Sequence, residues 1–250
     1  MIKRLVYISV LVITGILTLT GQPFNKIIVD NDIQLIPLQD SIYVHVSWHY
    51  LEDAGRFSSN GMVIIKNGEA LMIDTPMDND KTERLVEYLH DSLSVEISKL
   101  LIGHFHDDCL GGLGYLQSKG IESVANYLTI EKCKEKGLPV PSISFKDSFL
   151  VNFNGLQIDC RYFGAGHTID NITVWLPEQK ILFGGCLIRS LKSQSLGNLS
   201  DAVVPEWDKT VMRLMNQYKN INIVIPGHGD FGGKELLVHT IDLVNRYKFK

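Results

Sequence analysis

The chain has 250 residues, of which 45% are hydrophobic and 21% charged, and its formal net charge at pH 7 is -4. This length and composition are ordinary for a globular protein and accommodate one large domain or at most two small ones. No block rich in lysine and arginine occurs in the body of the chain, so the composition argues against nucleic-acid binding.

The N-terminus has the pattern of an export signal. Lys3 and Arg4 precede an apolar run from Leu5 to about Leu19. We predict a signal peptide over residues 1–21 and a periplasmic protein that makes no stable association with the membrane once the signal is removed. The run ends without a clear small-x-small cleavage site, so an uncleaved anchor is the alternative.

The remaining residues, 22–250, read as one domain built from two similar halves. In the first half, β-branched runs predict strands, Asn67-Gly68 predicts a hairpin turn, and an apolar period of helical spacing predicts a helix. The polar stretch from Glu52 to Gly61 predicts a mobile hairpin or loop with Phe57 as a substrate-facing residue, or else a plain hairpin turn. The predicted strands are 27–36, 42–48, 62–66, 70–73 and 100–102, and the helix is 82–89.

The second half repeats this order of strands and helices. Asn154-Gly155 predicts another hairpin turn, and Gly137 and Pro139 end a predicted helix. The predicted helices are 115–119 and 129–136, and the predicted strands are 124–125, 149–151, 156–162, 172–176, 181–183 and 223–225.

The stretch Gly103 to Cys109 carries three potential metal ligands at every second position, namely His104, His106 and Asp108. In an extended segment, alternate side chains point the same way. The stretch follows a short buried strand, and ligands at the carboxyl end of a strand are held by the sheet yet open to solvent. It therefore predicts part of a metal site.

Three more apolar strands end in glycine-containing turns with a potential ligand. These turns carry His167, Cys186 and His228. His104, His106 and His167 form an all-nitrogen set, whereas Asp108, Cys186 and His228 form a mixed oxygen, sulfur and nitrogen set. Three protein ligands with an open position are typical of catalytic zinc, and a thiolate favours zinc over magnesium or calcium. We predict two zinc ions per chain.

The cysteines and histidines outside these turns are predicted to have structural roles. Cys133 and Cys160 are expected to be buried free thiols rather than a disulfide pair, and four histidines outside the turns are expected to be surface or core residues. Those histidines are His45, His49, His90 and His239. Asp74 is either a partner of a ligand histidine or a simple turn cap.

Taken together, these motifs resemble those of the subclass B1 metallo-β-lactamases. The resemblance covers nearly the whole mature chain and rests on His-x-His-x-Asp, the isolated His167, Gly-Gly-Cys186, Leu196-Gly197-Asn198 and Pro226-Gly227-His228-Gly229, in the family's order. It implies an α/β fold, the four-layer αββα sandwich, with a dizinc site at one edge of the sheets. It also implies a monomeric enzyme that uses a metal-bound hydroxide to open the β-lactam ring, which confers antibiotic resistance.

The resemblance also implies individual roles. His104, His106 and His167 match the first zinc site, and Asp108, Cys186 and His228 match the second. Asp108 would also orient the hydroxide, and Asn198 would help to polarise the lactam carbonyl. Arg189 stands where many members have the lysine that binds the substrate carboxylate. Cys109 receives no ligand role.

Two alternatives remain open from the sequence. Other hydrolases of the wider fold, such as a glyoxalase II-like thioesterase or a nuclease, usually have histidine after the motif aspartate and aspartate in place of Cys186. A non-catalytic exported zinc-binding protein would have a closed ligand set without counterparts of Asn198 and Arg189. The residues present at these positions disfavour both.

Overall fold

Two β-sheets face one another, and helices cover the outer side of each. This computed structural model describes residues 26–52 and 55–249, so the predicted signal peptide lies outside the described residues. Among the residues described, no helix is long and apolar enough to cross a membrane. The helices are α1 (Asn79–Leu93), α2 (Asp107–Leu110), α3 (Leu113–Ser118), α4 (Tyr127–Lys136), α5 (Val204–Gln217) and α6 (Glu235–Lys248).

The first sheet holds strands in chain order from β1 to β8, antiparallel up to β5 and parallel from there on. The second runs β13-β12-β11-β10-β9, with only the β12 and β13 pair parallel. Strands of the first sheet are β1 (Ile27–Ile28), β2 (Ile33–Pro37), β3 (Ile42–Leu51), β4 (Gly55–Lys66), β5 (Glu69–Ile73), β6 (Glu96–Leu101), β7 (Glu122–Asn126) and β8 (Ile143–Phe145). Those of the second are β9 (Ser148–Phe153), β10 (Leu156–Tyr162), β11 (Ile172–Leu176), β12 (Ile181–Gly185) and β13 (Ile223–Pro226).

Three separate apolar clusters show that the fold has four layers. One lies between the sheets and joins Met62 of β4 to Val174 of β11. A second packs Leu85 of α1 against the outer face of the first sheet. A third packs Trp207 of α5 and Leu237 of α6 against the second sheet. Each sheet is therefore buried on both faces, and the predicted αββα sandwich is confirmed.

Both hairpin turns predicted from Asn-Gly pairs are present. Asn67 and Gly68 have φ values of 55° and 79°, and Asn154 and Gly155 have φ values of 50° and 87°. Positive φ at both central residues matches the right-handed twist of the flanking strands, which is why this dipeptide favours tight hairpins.

The stretch from Glu52 to Gly61 differs from its prediction as a loop. From Gly55 onward it forms β4, which pairs with β3 as far as Leu51 opposite Gly55. The guanidinium of Arg56 lies 4.6 Å from the ring centroid of Trp48 on β3. Such cross-strand contacts stabilise a strand despite its polar composition. The hairpin interpretation is confirmed by the pairing of β3 with β4.

The helix predicted over residues 82–89 is present as α1 and extends beyond the predicted range at both ends, over Asn79–Leu93. The side chain of Asp78 accepts a hydrogen bond from the amide of Lys81, and Ser94 ends the helix in the left-handed conformation. These caps satisfy backbone groups that a helix end otherwise leaves unpaired, so α1 gains polar first and last turns.

The sheets are joined directly at the edge where the candidate ligands lie. The amide of Ile172 donates to the carbonyl of Gly103, and the amide of Asn60 donates to the carbonyl of Gly227. The side-chain amide of Asn60 also donates to the carbonyls of Pro226 and Gly229. These bonds fix the turn after β13 against the first sheet.

Candidate metal centre

Asp108, Cys186 and His228 form a closed triangle of potential ligand atoms. Asp108 Oδ2 lies 3.0 Å from His228 Nε2 and 3.2 Å from Cys186 Sγ, and Cys186 Sγ lies 3.4 Å from His228 Nε2. Ligands bonded tetrahedrally to zinc at roughly 2.0–2.3 Å stand roughly 3.3–3.7 Å apart. The three atoms stand at 3.0–3.4 Å, slightly closer together than this, so a small outward shift would space them as ligands of one ion.

The three histidines of the first predicted set also converge. Ligand nitrogens of His104, His106 and His167 all lie within 4.8 Å of one another. Asp108 connects the two sets, because its Oδ1 is 3.7 Å from His104 Nε2. The structure thus brings all six predicted metal ligands together at one edge of the two sheets.

The second ring nitrogen of three histidines has a partner that fixes the ring. His228 Nδ1 donates to the carbonyl of Ser58 at 2.8 Å, and His106 Nε2 lies 2.9 Å from Asp201 Oδ2. His104 Nδ1 is 3.0 Å from Cys109 Sγ. A ligand histidine is usually held in this way, which leaves its other nitrogen free for the metal.

Asp74 lies next to the site, and its contacts decide whether it is a partner of a candidate ligand histidine or a simple turn cap. It is fully buried, and its carboxylate accepts from the amide of Gly103 at 2.6 Å and from the thiol of Cys109 at 3.1 Å. Burial raises the pKa of Asp74 to about 8. Since Cys109 in turn contacts His104, Asp74 is connected to a candidate ligand histidine through Cys109 and is more than a turn cap.

The electrostatics of the triangle favour charged ligands. A hydrogen bond from Cys109 lowers the pKa of the Cys186 thiol to about 5, with His228 contributing in the same direction. Burial alone would raise the pKa of Asp108, but the hydrogen bond from His228 and the neighbouring His104 hold it well below its usual range. A thiolate and a carboxylate at this edge suit a divalent cation.

These observations test whether zinc fits the residues present. The donor set combines a thiolate, a carboxylate and four imidazoles, which are the ligands that zinc takes in proteins. His167 is buried, and its Nδ1 has no hydrogen-bond partner among the described residues. The chemistry and spacing of the ligand atoms therefore fit zinc.

Four of the six candidate ligands, His106, Asp108, His167 and His228, line one large cavity. Its volume is about 1040 Å³. The hairpin of β3 and β4 contributes Trp48, Phe57 and Ser58, and the segment after β12 contributes Arg189 and Asn198. The side-chain oxygen of Asn198 accepts from the amide of Ser200, while its NH2 group has no partner within the described residues and remains free to donate.

Comparison with known proteins agrees with this geometry. A family model described as the metallo-beta-lactamase superfamily matches residues 54–228. The metallo-beta-lactamase type 2 of Bacteroides fragilis is 46% identical over 219 residues, which cover 88% of each chain. The chain belongs to the metallo-β-lactamase superfamily.

Solved structures narrow the position of the chain within this superfamily. The DIM-1 metallo-β-lactamase exposed to ceftazidime superimposes with a TM-score of 0.82 at 34% identity, over 86% of this chain and 98% of that one. The mono-zinc form of the FIM-1 metallo-β-lactamase from Pseudomonas aeruginosa gives 0.82 at 31% identity, over 88% and 98%. The predicted membership of subclass B1 of the metallo-β-lactamases is confirmed.

Within this metallo-β-lactamase, the residues outside the turns behave as predicted. All four cysteines are free and buried. His45 and His49 are buried in the sheet, His90 is exposed beside Asp91, and His239 contacts the carbonyl of Ser193. No sequence motif marks Asp201 or Ser58, which hold His106 and His228. A polar residue three positions after Asn198 was the only available signal for Asp201.

Proposed function

We propose that this metallo-β-lactamase hydrolyses the amide of penicillin, cephalosporin and carbapenem rings with two zinc ions. The observation that carries the proposal is the triangle of Asp108, Cys186 and His228 beside three convergent histidines. Four of these six residues, His106, Asp108, His167 and His228, are on the wall of one substrate-sized cavity. Relatives that share this fold are named metallo-β-lactamases, and one was solved in a mono-zinc form.

His104, His106 and His167 would hold one zinc, and Asp108, Cys186 and His228 the other. Bound zinc supplies Lewis acidity, which lowers the pKa of water and polarises a carbonyl. Asp108 Oδ1 faces the space between the two sets and can accept a hydrogen bond from the attacking water, which orients it. The free NH2 group of Asn198 can donate to the oxygen that gains negative charge as the ring opens.

Arg189 would bind the carboxylate that β-lactams carry beside the ring. It lines the cavity, and no carboxylate pairs with its guanidinium among the described residues. Burial lowers the pKa of Arg189, but an arginine stays charged at neutral pH. A half-buried guanidinium without an anionic partner is suited to an anionic ligand.

Replacing Arg189 with alanine should therefore raise KM by about tenfold or more and change kcat little, because a charge-assisted hydrogen bond is worth about 1.5–3 kcal/mol. Steady-state kinetics with benzylpenicillin measures this. Arg189→Lys should recover most of the affinity. Lys209→Ala is the control, since Lys209 is an exposed cation on α5 that pairs with Glu206 and does not line the cavity, and it should behave as wild type. An unchanged KM in Arg189→Ala would remove this residue from substrate binding.

We further propose that the mature domain, 22–250, is a periplasmic monomer that confers β-lactam resistance, with β-lactams as its partners and with neither nucleic acid nor membrane bound. The charged N-terminal residues and the apolar run after them support export. The net charge of -4 supports the absence of nucleic acid.

One experiment tests these proposals together. The protein is isolated from the periplasmic fraction, where its mass gives the cleavage point and its elution volume the oligomeric state. Loss of ultraviolet absorbance is then followed for a penicillin, a cephalosporin and a carbapenem. Ring opening should occur with zinc, stop after a chelator and return on adding zinc. Zinc-loaded protein that opens none of the three rings would overturn the proposal.

A further inference from the structure

Lys136 is a cation on the wall of the catalytic cavity that none of the roles above uses. It is the last residue of α4, and its exposed side chain lines the same cavity as His106 and His167. Its Nζ lies 5.3 Å from the ring centroid of Phe105, and that ring lies edge to face with His106 at 4.5 Å. One aromatic ring therefore separates this ammonium group from a candidate zinc ligand.

The neighbouring lysines of α4 are paired, whereas Lys136 is not. Lys132 pairs with Glu135 at 2.7 Å, and Lys134 pairs with Glu131 at 3.0 Å. Lys136 has no ion pair with any described residue. The hydrogen bond with His106 holds the pKa of Asp201 below its usual range, and the nearby charge of Lys136 adds to this effect. The carboxylate of Asp201 is therefore already bonded to His106 and does not pair with Lys136. The ammonium group of Lys136 is thus available to a ligand.

The position of Lys136 differs from that of Arg189. Arg189 follows β12 of the second sheet, whereas Lys136 packs over Phe105, which follows β6 of the first sheet. The six candidate zinc ligands lie at the edge between these sheets. A substrate whose ring carboxylate contacts Arg189 can therefore direct its opposite substituent to the wall that carries Lys136.

We propose that Lys136 is a specificity-determining residue, which forms a second anion subsite for β-lactams whose acylamino side chain carries an additional carboxylate. The inference rests on the proposed function, because it assumes that Arg189 binds the ring carboxylate. Asp107 also lines this wall, so a side-chain anion meets an unfavourable charge there that Lys136 offsets.

A purely structural role for Lys136 makes a different prediction. The cation contacts the face of Phe105 and sits in the last turn of a helix, where positive charge is favourable. If Lys136 acted only by positioning Phe105 or Asp201, and through them His106, its loss would affect every substrate alike.

The test compares two penicillins that differ by one carboxylate, benzylpenicillin and its α-carboxy derivative carbenicillin. Lys136→Met keeps the length and apolar stem of the side chain, Lys136→Glu reverses the charge, and Lys134→Met is the matched control on the outer face of the same helix. In zinc-loaded enzyme at low ionic strength, Lys136→Met should lower kcat/KM for carbenicillin about three- to fivefold and Lys136→Glu more, as for a partly exposed ion pair.

Benzylpenicillin turnover should stay within about twofold in both Lys136 variants, and the difference between substrates should shrink at high salt. Lys134→Met should match wild type with both. Equal losses for the two penicillins, or none for either, would overturn the subsite while leaving the lactamase proposal intact. Failure of the wild-type enzyme to open benzylpenicillin would instead overturn the proposed function.

Discussion

Replacing Cys186 with serine is expected to release one of the two proposed zinc ions and to lower kcat for benzylpenicillin by at least about 100-fold. Cys186 Sγ is one corner of the triangle with Asp108 and His228, at 3.2 and 3.4 Å. Serine has nearly the same size but does not ionise near neutral pH, so the site loses an anionic ligand. Loss of a ligand should exceed the 10–100-fold effects of changing a ligand's partner.

Zinc content after dialysis, measured by atomic emission, and steady-state kinetics on the same sample check this expectation. Cys109→Ser is the matched control. Cys109 is equally buried and lies nearby, and a serine hydroxyl can take over its hydrogen bonds with Asp74, with the outer nitrogen of His104 and with Cys186. We expect that variant to keep two zinc ions and to lose no more than about tenfold in kcat. Two tightly held zinc ions in Cys186→Ser would exclude Cys186 as a ligand.

The positions of the candidate ligands could be predicted because each one ends a strand. Cys186 and His228 follow the two parallel strands of the second sheet, so their turns lie at the same edge. His104, His106 and Asp108 follow β6 of the first sheet. The apolar run that buries each strand also marks where it leaves the sheet, and this local signal is readable without the structure.

The partners of those ligands could not be predicted in the same way. Asp201 lies 95 positions from His106 in the chain, and Ser58 lies 170 positions from His228. Ser58 contributes a backbone carbonyl, to which residue type gives no clue. Lys136 reaches the cavity only because α4 packs beside Phe105. Such contacts follow from how whole layers pack, which motif spacing does not encode.

The hairpin of β3 and β4 also has contacts that its sequence alone does not indicate. Its polar residues predicted a hairpin or loop, and Gly55 to Gly61 pair with β3 over their whole length as one strand of a hairpin. The amide of Asn60 is also bound to the turn that carries His228. Polar side chains on this strand serve the contact between sheets and the edge of the site, so composition alone could not decide between a strand of a hairpin and a loop there.

The turn that carries His228 is also where a single methyl group should have a large effect. Gly227→Ala would place Cβ 2.3 Å from Cys186 Sγ and 2.7 Å from the backbone nitrogen of Cys186. The backbone cannot move away easily, because the carbonyl of Gly227 accepts from the amide of Asn60 on the other sheet at 2.8 Å. We expect the free energy of unfolding to fall by about 2–3 kcal/mol or more and the second zinc to bind weakly.

Urea unfolding of the zinc-free protein and metal analysis of the loaded protein separate these two effects. Gly114→Ala in the helix α3 is the control, since its Cβ would meet only the exposed side-chain amide of Asn79, at 3.3 Å, which can shift slightly while it accepts from the amide of Tyr115. Alanine is the better helix former by about 0.5–1 kcal/mol, so that variant should be as stable as wild type or more so. If Gly227→Ala matched Gly114→Ala in stability and zinc content, the close packing of the His228 turn on Cys186 would be refuted. The triangle of candidate ligands depends on that packing, because only glycine at position 227 fits against the turn that carries Cys186.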